Sequence, residues 1–172
     1  KACEIDPLDG MNPTAAAEII FKNKEKLTVD RSLEAMRFLE RAIENKSHEA
    51  CYTRALIYIY GGEFITKNTL QAIKDLELLV QWNECYEYTY VDGLYLLAKL
   101  YLEMNDPNQL EQLNKTIEIL IKAERYCFEY PDWKNPSIKT NMHQAHPAVV
   151  QLLIEVYSKR ANLLLEQSKN LI

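Results

Sequence analysis

The chain contains two similar stretches of sequence, 37 positions apart, and each has the spacing of an amphipathic helix. The first runs from Ser32 to Ile43 and the second from Thr69 to Val80, and a Tyr-rich apolar segment follows each. A unit of this length cannot bury its apolar face alone, so it must stack on its neighbours. The period therefore predicts an all-α protein, a right-handed α-solenoid.

Helix-start signals and apolar periodicity predict seven helices and no strand. Proline at the first helical position indicates starts at Pro13, Pro107 and Pro147, and Asn68 with Gln71 resembles a capping box. Gly61 and Gly62 stand where a helix should end. The predicted helices span 13–25, 30–46, 48–60, 68–83, 87–104, 107–129 and 147–168. We expect about three antiparallel pairs plus a terminal helix, in a single domain covering 1–172.

The apolar positions indicate how these helices pair. Each predicted pair consists of a first helix and a second helix. The second helices of two pairs share an apolar stripe, formed by Leu33, Met36, Leu39, Ala42 and Ile43 in one and by Leu70, Ile73, Leu76, Leu79 and Val80 in the other. The second helix of a third pair has the matching residues 44 positions further on, at Thr116, Ile117, Leu120 and Ala123. Among the first helices, Phe21, Tyr58 and Tyr101 are equivalent. Ala55 and Ala98 lie one turn before the two tyrosines, and small residues there allow two helices to approach closely.

The last predicted helix is apolar on two sides. One stripe contains Val150, Leu153, Ile154, Tyr157, Ala161, Leu164 and Leu165, and the other contains Val149, Leu152, Val156 and Leu163. The terminal helix of an array normally has a polar outer face. We expect the preceding pair to clasp this helix; the alternative is an adhesive apolar flank.

Composition excludes several classes of protein. The 172 residues carry a net charge of -5, spread along the chain, which argues against a nucleic-acid surface. The four cysteines are far apart and contain no CxxC pair, so they are interpreted as small buried hydrophobes, although two disulfides in a periplasm remain open. Bacterial periplasm and cytoplasm are both compatible with the sequence, and membrane association is expected only if Cys3 is lipidated. These cysteines are Cys3, Cys51, Cys85 and Cys127.

No catalytic constellation is present in the sequence. Four glycines are too few and too scattered for a Rossmann fingerprint or a phosphate-binding loop. The one close histidine pair, His143 and His146, has no cysteine or carboxylate nearby to complete a zinc site. We therefore expect no enzymatic activity, no metal, no cofactor and no small-molecule substrate.

The segment from Arg54 to Gly61 resembles a known family. Ala55, Tyr58 and Gly61 form a small residue, an aromatic residue and a glycine spaced three apart, and Ala98 and Tyr101 repeat the pattern with Met104 in the glycine position. This pattern resembles the Sel-one-like repeat, a longer relative of the tetratricopeptide repeat. The resemblance implies an adaptor or scaffold whose first helices line a concave face. Known uses include bacterial signalling and host-interaction adaptors, degradation-complex subunits, and immunity proteins that neutralise a secreted toxin.

The repeat also predicts a binding surface. Projected onto the first helices, it places on the concave face Glu49, Tyr52, Leu56 and Tyr60 of one helix and Asp92, Tyr95, Lys99 and Glu103 of the next. Tyrosine is enriched at protein interfaces. Trp133, in the connection 129–146, is a further candidate contact. We expect a protein partner with basic or amphipathic segments, such as a secretion or signalling component. The alternative is that the chain is an immunity-type inhibitor that binds a toxic enzyme.

Overall fold

The computed structural model describes residues 12–82, 88–104, 107–129 and 142–169. Within these ranges the chain is entirely helical apart from turns and short connections, which confirms the all-α prediction. The helices are α1 (Pro13–Lys22), α2 (Val29–Glu44), α3 (His48–Tyr60), α4 (Thr69–Gln81), α5 (Tyr88–Glu103), α6 (Gln109–Glu129) and α7 (Met142–Lys169), with one 3-10 turn at Lys24–Lys26.

Side-chain caps account for two of the predicted helix starts. The Asn12 side chain accepts a hydrogen bond from the Thr14 amide at 2.9 Å, with Pro13 in the first position of α1. The Asn68 side chain accepts from the Gln71 amide at 3.0 Å. The capping box is only half formed, because the Asn68 amide donates to the Tyr58 carbonyl at 2.8 Å.

Most helix boundaries differ from the prediction by one or two residues, and a few differences matter for the fold. α1 ends at Lys22 instead of 25, and the 3-10 turn follows it. α6 begins at Gln109, two residues after Pro107. α7 begins at Met142, so the predicted start at Pro147 is wrong. Pro147 lies in the second turn of α7, where its ring removes one backbone hydrogen bond but does not end the helix.

The helices form two compact units, 1–82 and 83–172. In the first unit, α1 packs against α2 and α3 packs against α4, while α3 also contacts α2 and α1. In the second unit, α5 packs against α6, and α7 packs against α6 and contacts α5. This succession of helical pairs within each unit is consistent with an α-solenoid-like arrangement. The right-handed sense stays a prediction.

The cores contain most of the predicted stripes. Ala55 and Ala98 are completely buried, and the shifted third stripe is buried at all four of its positions. Leu33 and Leu70 are exceptions, with exposed fractions of 50% and 64%. The buried face of α2 is centred on Ala35 and Leu39, and that of α4 on the equivalent residues, so both leucines lie on the opposite side of their helices.

α7 shows both of the alternatives considered for the terminal helix, a side covered by the preceding pair and an exposed apolar side. The smaller stripe is buried at Val149, Leu152 and Val156, as a clasped helix requires. Most of the larger stripe is exposed, at Ile154, Tyr157, Leu164 and Leu165, while Val150 and Leu153 are half-buried.

A buried ion pair joins α3 to α4. The Arg54 guanidinium donates two hydrogen bonds to the Asp75 carboxylate, at 2.8 and 2.7 Å, and the Gln71 amide donates a third at 3.1 Å. The side chains of Arg54 and Asp75 are only 14% and 2% exposed. Burial lowers the pKa of Arg54, but the hydrogen bond to Asp75 and its charge outweigh that effect and raise it, so Arg54 stays charged.

The repeat predicts apolar residues where this ion pair stands. At the equivalent places the first pair of helices has Ala17 and Phe38, and the third has Leu97 and Ile119. A buried ion pair contributes little net stability compared with well-packed apolar residues, but removal of one partner leaves an uncompensated charge. The bidentate pair therefore requires the faces of α3 and α4 that carry Arg54 and Asp75 to meet.

We expect Asp75→Ala to lower the free energy of unfolding by about 3–5 kcal/mol. The double variant Arg54→Leu with Asp75→Ile, which copies the third pair, should recover most of that loss because no charge remains buried. Urea unfolding followed by circular dichroism measures both. Glu18→Ala, which removes the surface pair with Lys22, is the control and should have little effect. A double variant as unstable as Asp75→Ala would contradict the equivalence of these positions.

Candidate functional site

The candidate surface on α3 follows one side of that helix. Glu49 and Tyr60 are exposed, Tyr52 and Leu56 are half-buried, and Tyr60 is the most exposed large hydrophobic residue described, at 68%. α3 ends immediately after Tyr60, at Gly61, whose φ of 71° lies in the left-handed region. A side chain there would also approach Lys67 Cγ to 2.9 Å. The glycine thus ends the helix and leaves Tyr60 at its accessible edge.

The candidate surface on α5 is a second stripe of four residues. Lys99 and Glu103 are exposed, and Asp92 and Tyr95 are half-buried. The opposite side of α5 is fully buried at Leu94 and Ala98. All four predicted residues therefore lie on the accessible side of α5. α3 and α5 belong to different units, so a face shared by both helices stays a prediction.

The α5 stripe is internally ordered. Lys99 Nζ lies 5.9 Å from the centroid of the Tyr95 ring, within range of a cation–π interaction. Because Lys99 is exposed, this contact contributes only a modest stabilisation, but it holds the ammonium over the ring. A partner that binds this stripe meets an aromatic residue and a positive charge between two carboxylates, Asp92 and Glu103.

The carboxyl group of Asp92 has a displaced pKa. Burial raises the pKa of Asp92 above its usual value of 3.8. The charge of Asp92 contributes in turn to raising the pKa of the Cys127 thiol on α6, after the larger effect of burial. Asp92 therefore lies near the seam between α5 and α6, at the inner edge of the stripe.

The two described cysteines are not reactive thiols. Cys51 and Cys127 are free and buried, as the sequence predicts. Burial, with a smaller contribution from Asp75, raises the pKa of Cys51 to about 12, so the thiol is protonated at neutral pH. No group of three or more potential metal ligands occurs in the described part of the chain. The side chains of His143 and His146, and the whole of Trp133, lie outside the described residues.

The second unit contains a cleft that the sequence does not predict. The cleft has a volume of about 360 Å³ and lies between the end of α5, the start of α6 and the second half of α7. Its polar lining includes Gln112, Lys159, Asn162 and Glu166, and the Gln112 side chain donates to the Tyr101 carbonyl. The lining therefore combines amide groups with one basic and one acidic side chain.

Other residues were missed by sequence reasoning. Arg54 and Asp75 had a visible signal, since each is a charged residue at a position that is apolar in the other helix pairs. Tyr90 had none: it is fully buried, its ring lies 4.8 Å from that of Tyr126, and Lys122 Nζ lies 5.5 Å from it. This cluster ties the start of α5 to the end of α6.

Comparison with known proteins gives no assignment. No family model matches the chain, and no curated protein and no solved structure gave a match. The resemblance to Sel-one-like repeats therefore stays a prediction from the residues. In the described ranges, no helix is both long and apolar enough to cross a membrane.

The displaced pKa of Asp92 predicts how stability depends on pH. Because the folded-state pKa is raised, protonated Asp92 favours the folded state; this contribution is present below the unfolded-state pKa and is lost as pH rises through the folded-state value. We expect Asp92→Asn to be more stable than the parent at pH 7, and the difference to shrink toward pH 4. Urea unfolding at both pH values measures it, with Tyr95→Phe as the control on the same face. A difference independent of pH would contradict the burial of the charge.

Proposed function

We propose that this protein is a non-catalytic binding module that recognises another protein through the accessible sides of its first helices. The observation that carries the proposal is the α5 stripe, in which an ordered Tyr95–Lys99 contact lies between Asp92 and Glu103 on the accessible side of a helix with a buried opposite face. Tyrosine is enriched in the buried centre of protein interfaces, and charged residues such as Lys99 and Glu103 are typical of the polar rim around it.

The chemistry of the two stripes suggests the kind of partner. Glu49 on α3 and Asp92 and Glu103 on α5 outnumber the one lysine, Lys99, and the whole chain carries a net charge of -5. Carboxylates beside tyrosine rings suit a basic or amphipathic segment, because the charges accelerate association while the rings supply buried contact area.

The partner itself is best found by site-specific cross-linking. A photo-reactive amino acid placed at Lys99 or Tyr60 should capture the same protein, whereas one at Glu118, an exposed residue of α6, should not. The enzymatic activity of the captured protein, measured with and without the chain, then separates an adaptor from an immunity-type inhibitor.

Substitutions test the same surfaces quantitatively. We expect Tyr60→Ala and Tyr95→Ala each to weaken binding of the captured partner by ~2 kcal/mol without unfolding the chain, because buried aromatic anchors contribute that much at interfaces. Glu103→Lys should slow association, more at low salt than at high salt, while Glu118→Lys should leave the rate unchanged. If Trp133→Ala abolishes binding and both tyrosine variants bind normally, recognition belongs to the segment 129–146 and the proposal is wrong.

A further inference from the structure

The cleft of the second unit has apolar walls supplied by three helices. They come from Leu102 and Met104 at the end of α5, Leu113 of α6 and Leu163 of α7. All four side chains are half-buried, so helix packing holds them in place while solvent still reaches them. The volume of about 360 Å³ is near the lower end of the ~300–1,000 Å³ of ligand pockets. The cleft therefore suits one long side chain and not a helix.

Hydrogen-bond acceptors line the rest of the cleft, and one of them has a fixed direction. The side-chain nitrogen of Gln112 donates to the Tyr101 carbonyl. A carbonyl only accepts, so the amide must face it with its nitrogen, and Gln112 Oε1 points away from that bond. No described residue donates to this oxygen. Gln109 and Asn162 add amide oxygens and Glu166 adds a carboxylate, so a ligand with several donors suits the lining.

The charges around the cleft favour a cation. The Lys159 ammonium is bound to the Glu155 carboxylate at 2.8 Å, which compensates its charge. Glu166 lies about 10.5 Å further along α7, in its last turn, and makes no ion pair with any residue that the structure describes. The C-terminal ends of α5 and α7 add partial negative charge, whereas Glu111 in the first turn of α6 compensates the positive end of that helix.

The cleft also continues the α5 stripe. Leu102 follows Lys99 by three residues and Tyr95 by seven, so the three share one line along the helix. Leu102 is at the same time part of the cleft wall. A segment of a partner that lies on the stripe therefore reaches the cleft without crossing to another side of α5.

We propose that this cleft binds the side chain of an arginine that belongs to the protein partner. The methylene groups of arginine pack against the apolar walls, and the guanidinium bonds to Glu166 and to the amide oxygens. Arginine suits the site better than lysine because its five donors lie in one plane, where they reach acceptors on both α6 and α7, and because it is less strongly hydrated. The inference rests on the proposed function for the source of the arginine, and it assigns the basic residue of the partner to a defined place.

NMR titration of the isotope-labelled chain tests the site without the partner. The probe is N-acetyl-arginine amide, which presents the side chain between two peptide groups, as a protein does. It should bind with a Kd on the order of 1 mM and shift the side-chain amide signals of Gln112 and Asn162. At matched ionic strength, the uncharged isostere N-acetyl-citrulline amide should bind roughly fivefold more weakly or worse. N-acetyl-lysine amide should also bind more weakly, and free arginine no more tightly than the probe.

Variants test the roles of the charges. Glu166→Gln should weaken binding of the probe roughly fivefold, because it removes the carboxylate and keeps the shape. Glu118→Gln, the same change at an exposed position of α6 that is not in the lining, is the matched control and should bind as the parent does. Lys159→Met should tighten binding, because it removes a positive charge from the lining and releases Glu155.

Several results would overturn the inference. They are unshifted Gln112 and Asn162 signals at about 20 mM probe, equal binding of the arginine and citrulline probes, equal or tighter binding of the lysine probe, and weaker binding after Lys159→Met. Tighter binding of free arginine would assign the cleft to a small molecule and overturn it too. An empty cleft would leave the α5 stripe untouched, whereas Tyr60→Ala and Tyr95→Ala variants that bind the captured partner normally would contradict the proposed function alone.

Discussion

The pairing of a first helix with the second helix that follows it is the constraint on which the rest of this structure depends. A first helix such as α3 has one apolar side for the preceding pair and another for its own partner, so it is stable only when both are covered. The α3–α4 contact shows how selective the pairing is, because Arg54 and Asp75 must meet for either charge to be tolerated in the interior.

The same constraint explains where the accessible surfaces lie. Once α5 is covered by α6 and α7, its accessible side carries Asp92, Tyr95, Lys99 and Glu103. Recognition is proposed there because Lys99 and Glu103 are exposed and Asp92 and Tyr95 are only half-buried. α7 differs, since one of its accessible sides is apolar, at Ile154, Tyr157, Leu164 and Leu165. An apolar surface of that spacing favours another helix, whereas a mixed acidic and aromatic stripe favours a basic or amphipathic partner.

Sequence reasoning was most accurate where a residue's role depends on its own helix. The helix pairs, the buried alanines Ala55 and Ala98, and the accessible side of α5 all follow from apolar periodicity and from the similar stretches of sequence 37 positions apart. Sequence reasoning was wrong where the rotational phase of a helix determines which residues are buried, and it missed contacts between residues far apart in the sequence. Leu33 and Leu70 were assigned to the core because the apolar stripe is broad, yet the true centre of each buried face lies on the other side. Arg54 and Asp75 are 21 residues apart, and nothing local shows that they bond.

The most direct test of the pairing compares Ala55 and Ala98, which are equivalent in the repeat, with Ala15, which is not. Ala55→Leu and Ala98→Leu should each lower the free energy of unfolding by about 1–3 kcal/mol, because a larger side chain has no room where two helices approach closely. Ala15→Leu, at an exposed position of α1, should leave stability unchanged. Urea unfolding of the three variants gives the answer, and Ala55 and Ala98 variants as stable as the parent would contradict the close pairing of first and second helices.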